Sequence, residues 1–188
     1  MTSTAQQVQV ELNEYLRAER ASTVKHELWR GEVFAMAGAS YVHNRIVANL
    51  LGVLRDVLAE HSCRALPSDM KIHVPSREGF VYPDVSIVCG APQFYDEAAD
   101  VLVNPASVFE VLSESTERFD RGEKFFGYRS IPSLRECLLI SQQAPHVEHY
   151  ARRPDGTWVL ADQIAGGMVS LAVGGKFLLD RLYEDISP

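Results

Sequence analysis

Val81-Tyr82-Pro83-Asp84-Val85-Ser86-Ile87-Val88 and, further on, Ser107-Val108-Phe109-Glu110-Val111-Leu112 are the two runs that decide the fold. Each is the length of a buried strand and rich in β-branched residues. Each carries one carboxylate in an otherwise apolar run, which is costly unless the acid is paired or bound to a cation. A polar segment, Ser113 to Arg118, follows. Beyond it Asp120, Lys124 and Tyr128 recur at helical spacing and share one stripe of a helix.

Outward from this centre, Ser40 to His61 is the clearest helix: Val42, Ile46, Leu50, Val53, Leu54, Val57 and Leu58 repeat at three and four. Ser40 suits an N-cap, which puts His43 in the first turn, where the helix dipole favours an anion. Upstream, Val8 to Arg20 reads as a short amphipathic helix, and His26 to Met36 as a hairpin turning at Arg30-Gly31. Glu27 lies in its first strand and reads most simply as an exposed residue. Downstream, strands are expected at Arg64–Leu66 and Met70–Val74, with a turn at Pro75–Gly79. Gly90 to Pro105 reads as a mobile surface loop with a short helical piece at Asp96–Asp100. The stripe-bearing helix ends near Ser130-Ile131-Pro132. A buried strand (Leu134–Ser141), a hairpin around Pro154-Asp155-Gly156 and a final strand (Met168–Val173) complete the order. That order predicts a mixed α/β domain, a central sheet flanked by helices.

The chain has 188 residues and reads as a single domain over 1–188. No apolar run is long enough to cross a membrane, and Met1 to Gln7 lacks the blocks of a signal peptide. Cys63, Cys89 and Cys137 fit neither a disulfide framework nor a zinc knuckle, and read as reduced core residues of a cytoplasmic protein. The net charge of −7 argues against a protein that coats nucleic acid. It leaves a nuclease open, because divalent metals supply positive charge inside an acidic site.

Two carboxylates on neighbouring strands, with a backbone carbonyl beside the second, make a half-shell for Mg2+, which prefers oxygen ligands. Asp84, Glu110 and the carbonyl of Val111 supply it, and a lysine on the following helix can reach back over the Glu110 strand. Hydrolysis of a phosphodiester needs such an ion to stabilise charge and activate water. The bland readings are a turn acid after Pro83, an edge-strand acid facing solvent, and a surface pair or capping box formed by Asp120 with Lys124 or Glu123. If Phe119, Phe125 and Phe126 all pack inward, Lys124 flanks the core. Asp84 and Glu110 repel, so at least one should have a raised pKa. Removing Asp84 should then cost the metal-free fold little.

The pattern Tyr82-Pro83-Asp84, Phe109 to Thr116, Asp120, Glu123-Lys124 and Tyr128 resembles the Uma-two family, assigned as endonucleases of the PD-(D/E)XK, or restriction-endonuclease-like, superfamily. The resemblance takes in Glu27-Leu28-Trp29-Arg30-Gly31-Glu32, His43-Asn44-Arg45-Ile46 and Ile131-Pro132. It implies a restriction-endonuclease-like core with Asp84, Glu110 and Val111 as ligands of Mg2+ or Mn2+. It implies Lys124 as the catalytic lysine, since the superfamily's position two residues after the second acid is Leu112 here. Glu27, His43, Asp120 and Tyr128 are accessory candidates, DNA the expected substrate and a homodimer the expected state. Two further departures are Glu114 in place of a proline and the Leu134–Ile140 strand without its usual aromatic pair and aspartate. Alternatives are a catalytically inactive nuclease-fold protein acting as a dimeric binding or regulatory partner, and a zinc site at His146 and His149. Those histidines are spaced so that a strand turns them to opposite faces.

Overall fold

Pro83 cannot donate to a sheet ladder, and the expected strand Val81–Val88 divides there into two strands of different sheets. The computed structural model describes residues 11–186. In chain order these form α1 (Leu12–Ala21), β1 (His26–Trp29), β2 (Glu32–Ala35), α2 (Tyr41–Val57), β3 (Cys63–Pro67), β4 (Lys71–Val74), β5 (Gly79–Val81), β6 (Val85–Cys89), β7 (Val101–Leu102) and β8 (Ser107–Val111). Three short helical pieces follow end to end: α3 (Glu117–Phe119), a π-helical turn (Asp120–Lys124) and α4 (Phe125–Tyr128). Then come β9 (Glu136–Ile140), β10 (His146–Arg152), β11 (Trp158–Ile164), β12 (Met168–Ser170), β13 (Lys176–Leu178) and a 3-10 turn (Leu179–Tyr183).

One sheet has the order β2-β1-β5-β4-β7, the other β11-β10-β9-β8-β6-β3, and β12 and β13 form a separate hairpin. Both larger sheets are mixed: β8 runs parallel to β9 and β4 parallel to β7, while the other neighbours are antiparallel. Side chains alternate across a strand, so the six-stranded sheet has two apolar faces. Val85, Ile87, Phe109, Val111, Leu138 and Ile140 share a core with Ile46, Leu50, Val53 and Leu54 of α2. Val108, Leu112, Cys137 and Leu139 share another with Ile72, Val74 and Val81 of the smaller sheet and with Phe125 and Tyr128 of α4. The fold is the expected mixed α/β arrangement, with α2 packed across the sheet.

Several local expectations need correction. Val8, Gln9 and Val10 of the first helix lie outside the described residues. The segment 90–105 is no mobile loop: Val101 and Leu102 are fully buried in β7, and Asp96 and Asp100 form a double ion pair with Arg20 of α1 rather than a helix. The acidic run reads as solvated only until its distant arginine is known. Cys63 and Cys89 are not reduced; they lie directly opposite each other on β3 and β6 and are joined by a disulfide. Their 26-residue separation hides that register. The expected final strand Met168–Val173 is only β12, Met168–Ser170, and it pairs as a hairpin with a further strand, β13, that lies beyond it.

Gly127 shows how tightly α4 is seated. A Cβ there would lie 2.4 Å from Trp29 Cη2, too close for any real contact, and a tight 3.0 Å from Val74 Cγ1. Gly52, inside α2, has nothing within 4 Å of a built Cβ. Alanine at the two positions should therefore act with opposite sign. Gly127→Ala should destabilise the protein by about 1–3 kcal/mol through overpacking. Gly52→Ala should stabilise it by about 0.5–1 kcal/mol through helix propensity. Urea denaturation of both variants checks this, and equal effects would contradict the packing described.

Candidate active site

The seam between the two sheets gathers the charged residues. The chain leaves β5, passes Tyr82 and Pro83, and turns at Asp84 into β6. Asp84 is thus at a bend and not within a strand. Because β6 and β8 pair with Val85 opposite Phe109, Asp84 and Glu110 come to the same end of that ladder. Asp84 Oδ2 accepts the Val111 N–H at 2.7 Å, and Oδ1 lies 3.1 Å from His43 Nε2. His43 is held by the start of α2, where the Ser40 hydroxyl caps the helix by accepting the His43 N–H at 3.0 Å. The Asp84 carboxylate meets the ring of this first-turn histidine. Asp84 therefore also satisfies backbone, so its removal should cost more than repulsion alone suggests, because a buried N–H left unpartnered costs about 1–3 kcal/mol.

Glu110 is buried and faces the seam, not solvent. Its Oε1 accepts the Tyr128 hydroxyl at 2.6 Å and lies 3.1 Å from Lys124 Nζ. Lys124 does not flank the core; it is 5% exposed. Its ammonium also lies 3.1 Å from Glu27 Oε1 and 3.8 Å from Asp120 Oδ1. The aromatic packing explains the depth. Phe125 turns inward while Phe126 stays 56% exposed, so the opposite side of the helix, with Lys124 and Tyr128, enters the seam. The capping box is absent: Glu123 faces Arg30 and Arg77 instead. A π-helical turn, a feature frequent at functional sites, delivers Asp120 and Lys124 together.

Glu27 is the residue the simplest sequence reading misplaced. Its side chain is largely covered, pairs with Lys124, and accepts the Tyr82 N–H at 2.8 Å. The structure thus brings together Glu27, Glu110, Asp120, Lys124 and Tyr128, with Asp84 and His43 joined to them through Val111. Sequence reasoning did not single out Gln142, which donates to Leu112 O at 2.8 Å and accepts from Ser40 Oγ at 2.7 Å, tying the cap of α2 to the end of β8. It also missed Glu19, a buried acid behind the seam that accepts from the Tyr82 hydroxyl and the His26 N–H. Neither carries a local signal, because both act on residues distant in sequence. His146 and His149 do not share a site: the first contacts Asp162 and the second Glu136.

Three carboxylates share one ammonium in this seam. Burial pushes the Glu110 carboxyl up to about 8; Lys124 opposes the shift, and Asp120, Asp84 and Glu27 add to it. Burial also raises Asp120, again against Lys124. Burial works against the charged form of Lys124, but Glu110, Glu27 and Asp120 outweigh it and hold the amine well above its ordinary range. The lysine keeps its proton, and the excess negative charge is relieved by protonating a carboxylate. A carboxyl raised from 4.5 to about 8 on folding stabilises the protein fully below pH 4.5. That contribution is lost as pH rises through about 8. Metal-free thermal melts at pH 5, 7 and 9 should show a falling Tm, and Glu110→Gln should flatten the trend. An unchanged slope in Glu110→Gln would place the titration elsewhere.

The comparisons with known proteins agree with this architecture. A family model, Uma2, described as a putative restriction endonuclease, matches residues 12–173. The uncharacterized protein sll1609 of Synechocystis sp. (strain ATCC 27184 / PCC 6803 / Kazusa) is 39% identical over 149 residues, 79% of this chain and 84% of the relative. The uncharacterized protein slr1290 of the same organism is 32% identical over 175 residues, 93% of this chain and 91% of the relative. Among solved structures, a putative nuclease belonging to DUF820 from Anabaena variabilis ATCC 29413 superposes with a TM-score of 0.75. It is 16% identical, with 95% of this chain and 99% of that one covered, a likeness of fold. With most of its length matched by the family model, the chain belongs to the Uma2 family.

Proposed function

We propose that the chain is a divalent-metal-dependent DNA endonuclease that hydrolyses phosphodiester bonds. The observation that carries this reading is the burial of Lys124 against Glu27, Glu110 and Asp120, with Asp84 bound to the Val111 N–H next to Glu110. The donor set suits Mg2+ or Mn2+: carboxylate oxygens, with the Val111 carbonyl next to Glu110. A surplus of buried negative charge is what such a cation offsets. Among the described residues no group of three or more His, Cys, Asp or Glu gathers as a metal cluster. Asp84 and Glu110 would therefore hold the ion with the Val111 carbonyl and water. When bound, the ion supplies charge stabilisation at the phosphoryl group and a more acidic water.

The protein's own groups have distinct tasks in this reading. Tyr128 fixes the rotamer of Glu110 by donating to Oε1, and the Val111 N–H and His43 fix both oxygens of Asp84. Glu27 and Asp120 hold the Lys124 ammonium and keep it protonated. Lys124 then offers a fixed positive charge to the phosphate oxygen on which charge develops. Leu112, at the superfamily's lysine position, leaves that task to the helix.

The inactive, dimeric reading has one observation in its favour: Lys124 is already engaged by three carboxylates. For a homodimer in either reading, the supporting feature is β2, the edge strand of its sheet, with Val33 and Phe34 exposed. Incubation of plasmid and single-stranded DNA with Mg2+ or Mn2+ separates the readings. Wild type should cut, and Asp84→Asn should not. Either ion should also raise the wild-type Tm by binding the folded state, a gain that Asp84→Asn loses. A wild type inert with both ions and unshifted in Tm would leave the inactive reading standing. Lys124→Ala should cost the metal-free protein about 3–5 kcal/mol, because it strands buried carboxylates. An unchanged melt would show that the lysine compensates nothing.

A further inference from the structure

On a chain of net charge −7, four arginines close to one another have no carboxylate within ion-pair range among the described residues: Arg129, Arg135, Arg152 and Arg153. Most other cations near the seam are neutralised, Arg30 by Glu123 and Arg121 by Glu117 and Glu148. Three of the four, Arg135, Arg152 and Arg153, line a cleft of about 450 Å3 at the end of the six-stranded sheet away from Asp84. Ala106, Pro132 and Leu134 also line it. Arg152 anchors the cleft. Its guanidinium donates to Pro132 O at 3.2 Å and to Arg129 O, and its buried Nε–H has no partner. Burial and the nearby Arg129 charge hold the Arg152 guanidinium below its ordinary range, and a bound anion would relieve that like-charge crowding.

Aromatic rings, not acids, support two of these cations. The Arg152 guanidinium lies 4.9 Å over Trp158, and Arg129 lies 5.9 Å over Phe125 and 5.7 Å over Phe126. Arg77 sits 4.6 Å over the exposed Phe126 ring. Stacking of this kind fixes a guanidinium without cancelling its charge. The stripe begins beside the candidate active site: Phe125 follows Lys124 in sequence, and Arg129 follows Tyr128, the donor to Glu110.

We propose that the face from Phe126 through Arg129 to the Arg135–Arg152–Arg153 cleft binds the phosphodiester backbone of a nucleic acid. The partner's identity rests on the endonuclease reading; the anion chemistry does not. Four unpaired guanidiniums, Arg129 and Arg152 held on rings and Arg135 and Arg153 free at the cleft, suit a chain of phosphates better than one isolated ion, because each neutralised phosphate releases counterions and adds affinity. The acidic seam would repel the same chain, so a hold on it has to come from a cationic face such as this one.

The test is fluorescence anisotropy of a labelled oligonucleotide, duplex and single-stranded, with the full chain in metal-free buffer at several salt concentrations. Arg135 and Arg153 are exposed, so the double variant Arg135→Glu/Arg153→Glu should keep the wild-type Tm. It should bind at least about tenfold more weakly, with a salt dependence reduced by about two counterions. Should the reversal unfold the chain, Arg135→Gln/Arg153→Gln reads the same loss without adding acid. Unchanged affinity and salt slope in the folded variant would overturn the proposal. Inorganic phosphate should compete only at millimolar concentration; displacement of the oligonucleotide at micromolar phosphate would mean an isolated anion site and would overturn it too. Cleavage is scored separately. A wild type that binds through this face and never cuts removes the endonuclease reading and leaves this one, whereas cutting with unchanged KM in the double variant does the reverse.

Discussion

One ammonium group, that of Lys124, is held in the core against more carboxylate than it can neutralise. Taking these charges out of water costs several kcal/mol per ion, and mutual attraction returns that only where the geometry is close. The 3.1 Å contacts to Glu27 and Glu110 are such a geometry. They require α4 to approach Trp29 as only a glycine at 127 allows, and β1 to present Glu27 from the other sheet. The seam is therefore a place where packing on both sides is spent on holding like charges together. A fold selected for stability alone would have filled this volume with apolar side chains.

The second constraint is the passage of the chain between sheets at Tyr82-Pro83-Asp84. Tyr82 is bound at both ends, its N–H to Glu27 and its hydroxyl to Glu19. Asp84 is bound at both oxygens. A crossing that would otherwise be a flexible linker is thereby fixed by side chains of α1, β1 and α2. This links the first helix, far from the seam in sequence, to the position of an acid within it.

How much of this was legible in the sequence differs by residue, for physical reasons. The α2 helix was plain because Ile46, Leu50, Val53 and Leu54 repeat at helical spacing and Ser40 is a good cap; local chemistry settles both. The hairpin at Arg30-Gly31 was plain for a similar reason, and both residues take positive φ there, 54° and 79°. Asp84 and Glu110 stood out because acids in apolar runs conflict with their surroundings. Glu27, Glu19 and Gln142 did not stand out, since an acid or amide in an ordinary polar position gives no sign of a partner far along the chain. The Cys63–Cys89 pairing and the Arg20 clamp on Asp96 and Asp100 were hidden in the same way. Phe126 shows the limit of hydropathy: of two adjacent phenylalanines, only the three-dimensional path tells which one is left outside. Spacing allowed Lys124 to reach back over the Glu110 strand, and the family resemblance singled it out as the catalytic candidate.

No candidate side chain of the seam sits on a long connecting segment. Glu27 and Glu110 come from strands, Asp120, Lys124 and Tyr128 from consecutive helical turns, and Asp84 from a bend tied at both oxygens. The arrangement is preorganised, so the entropy of assembling it is spent once, during folding, and not again with each binding event. Whatever this seam engages meets a fixed template, and any distortion needed for a fit must be borne by the visitor.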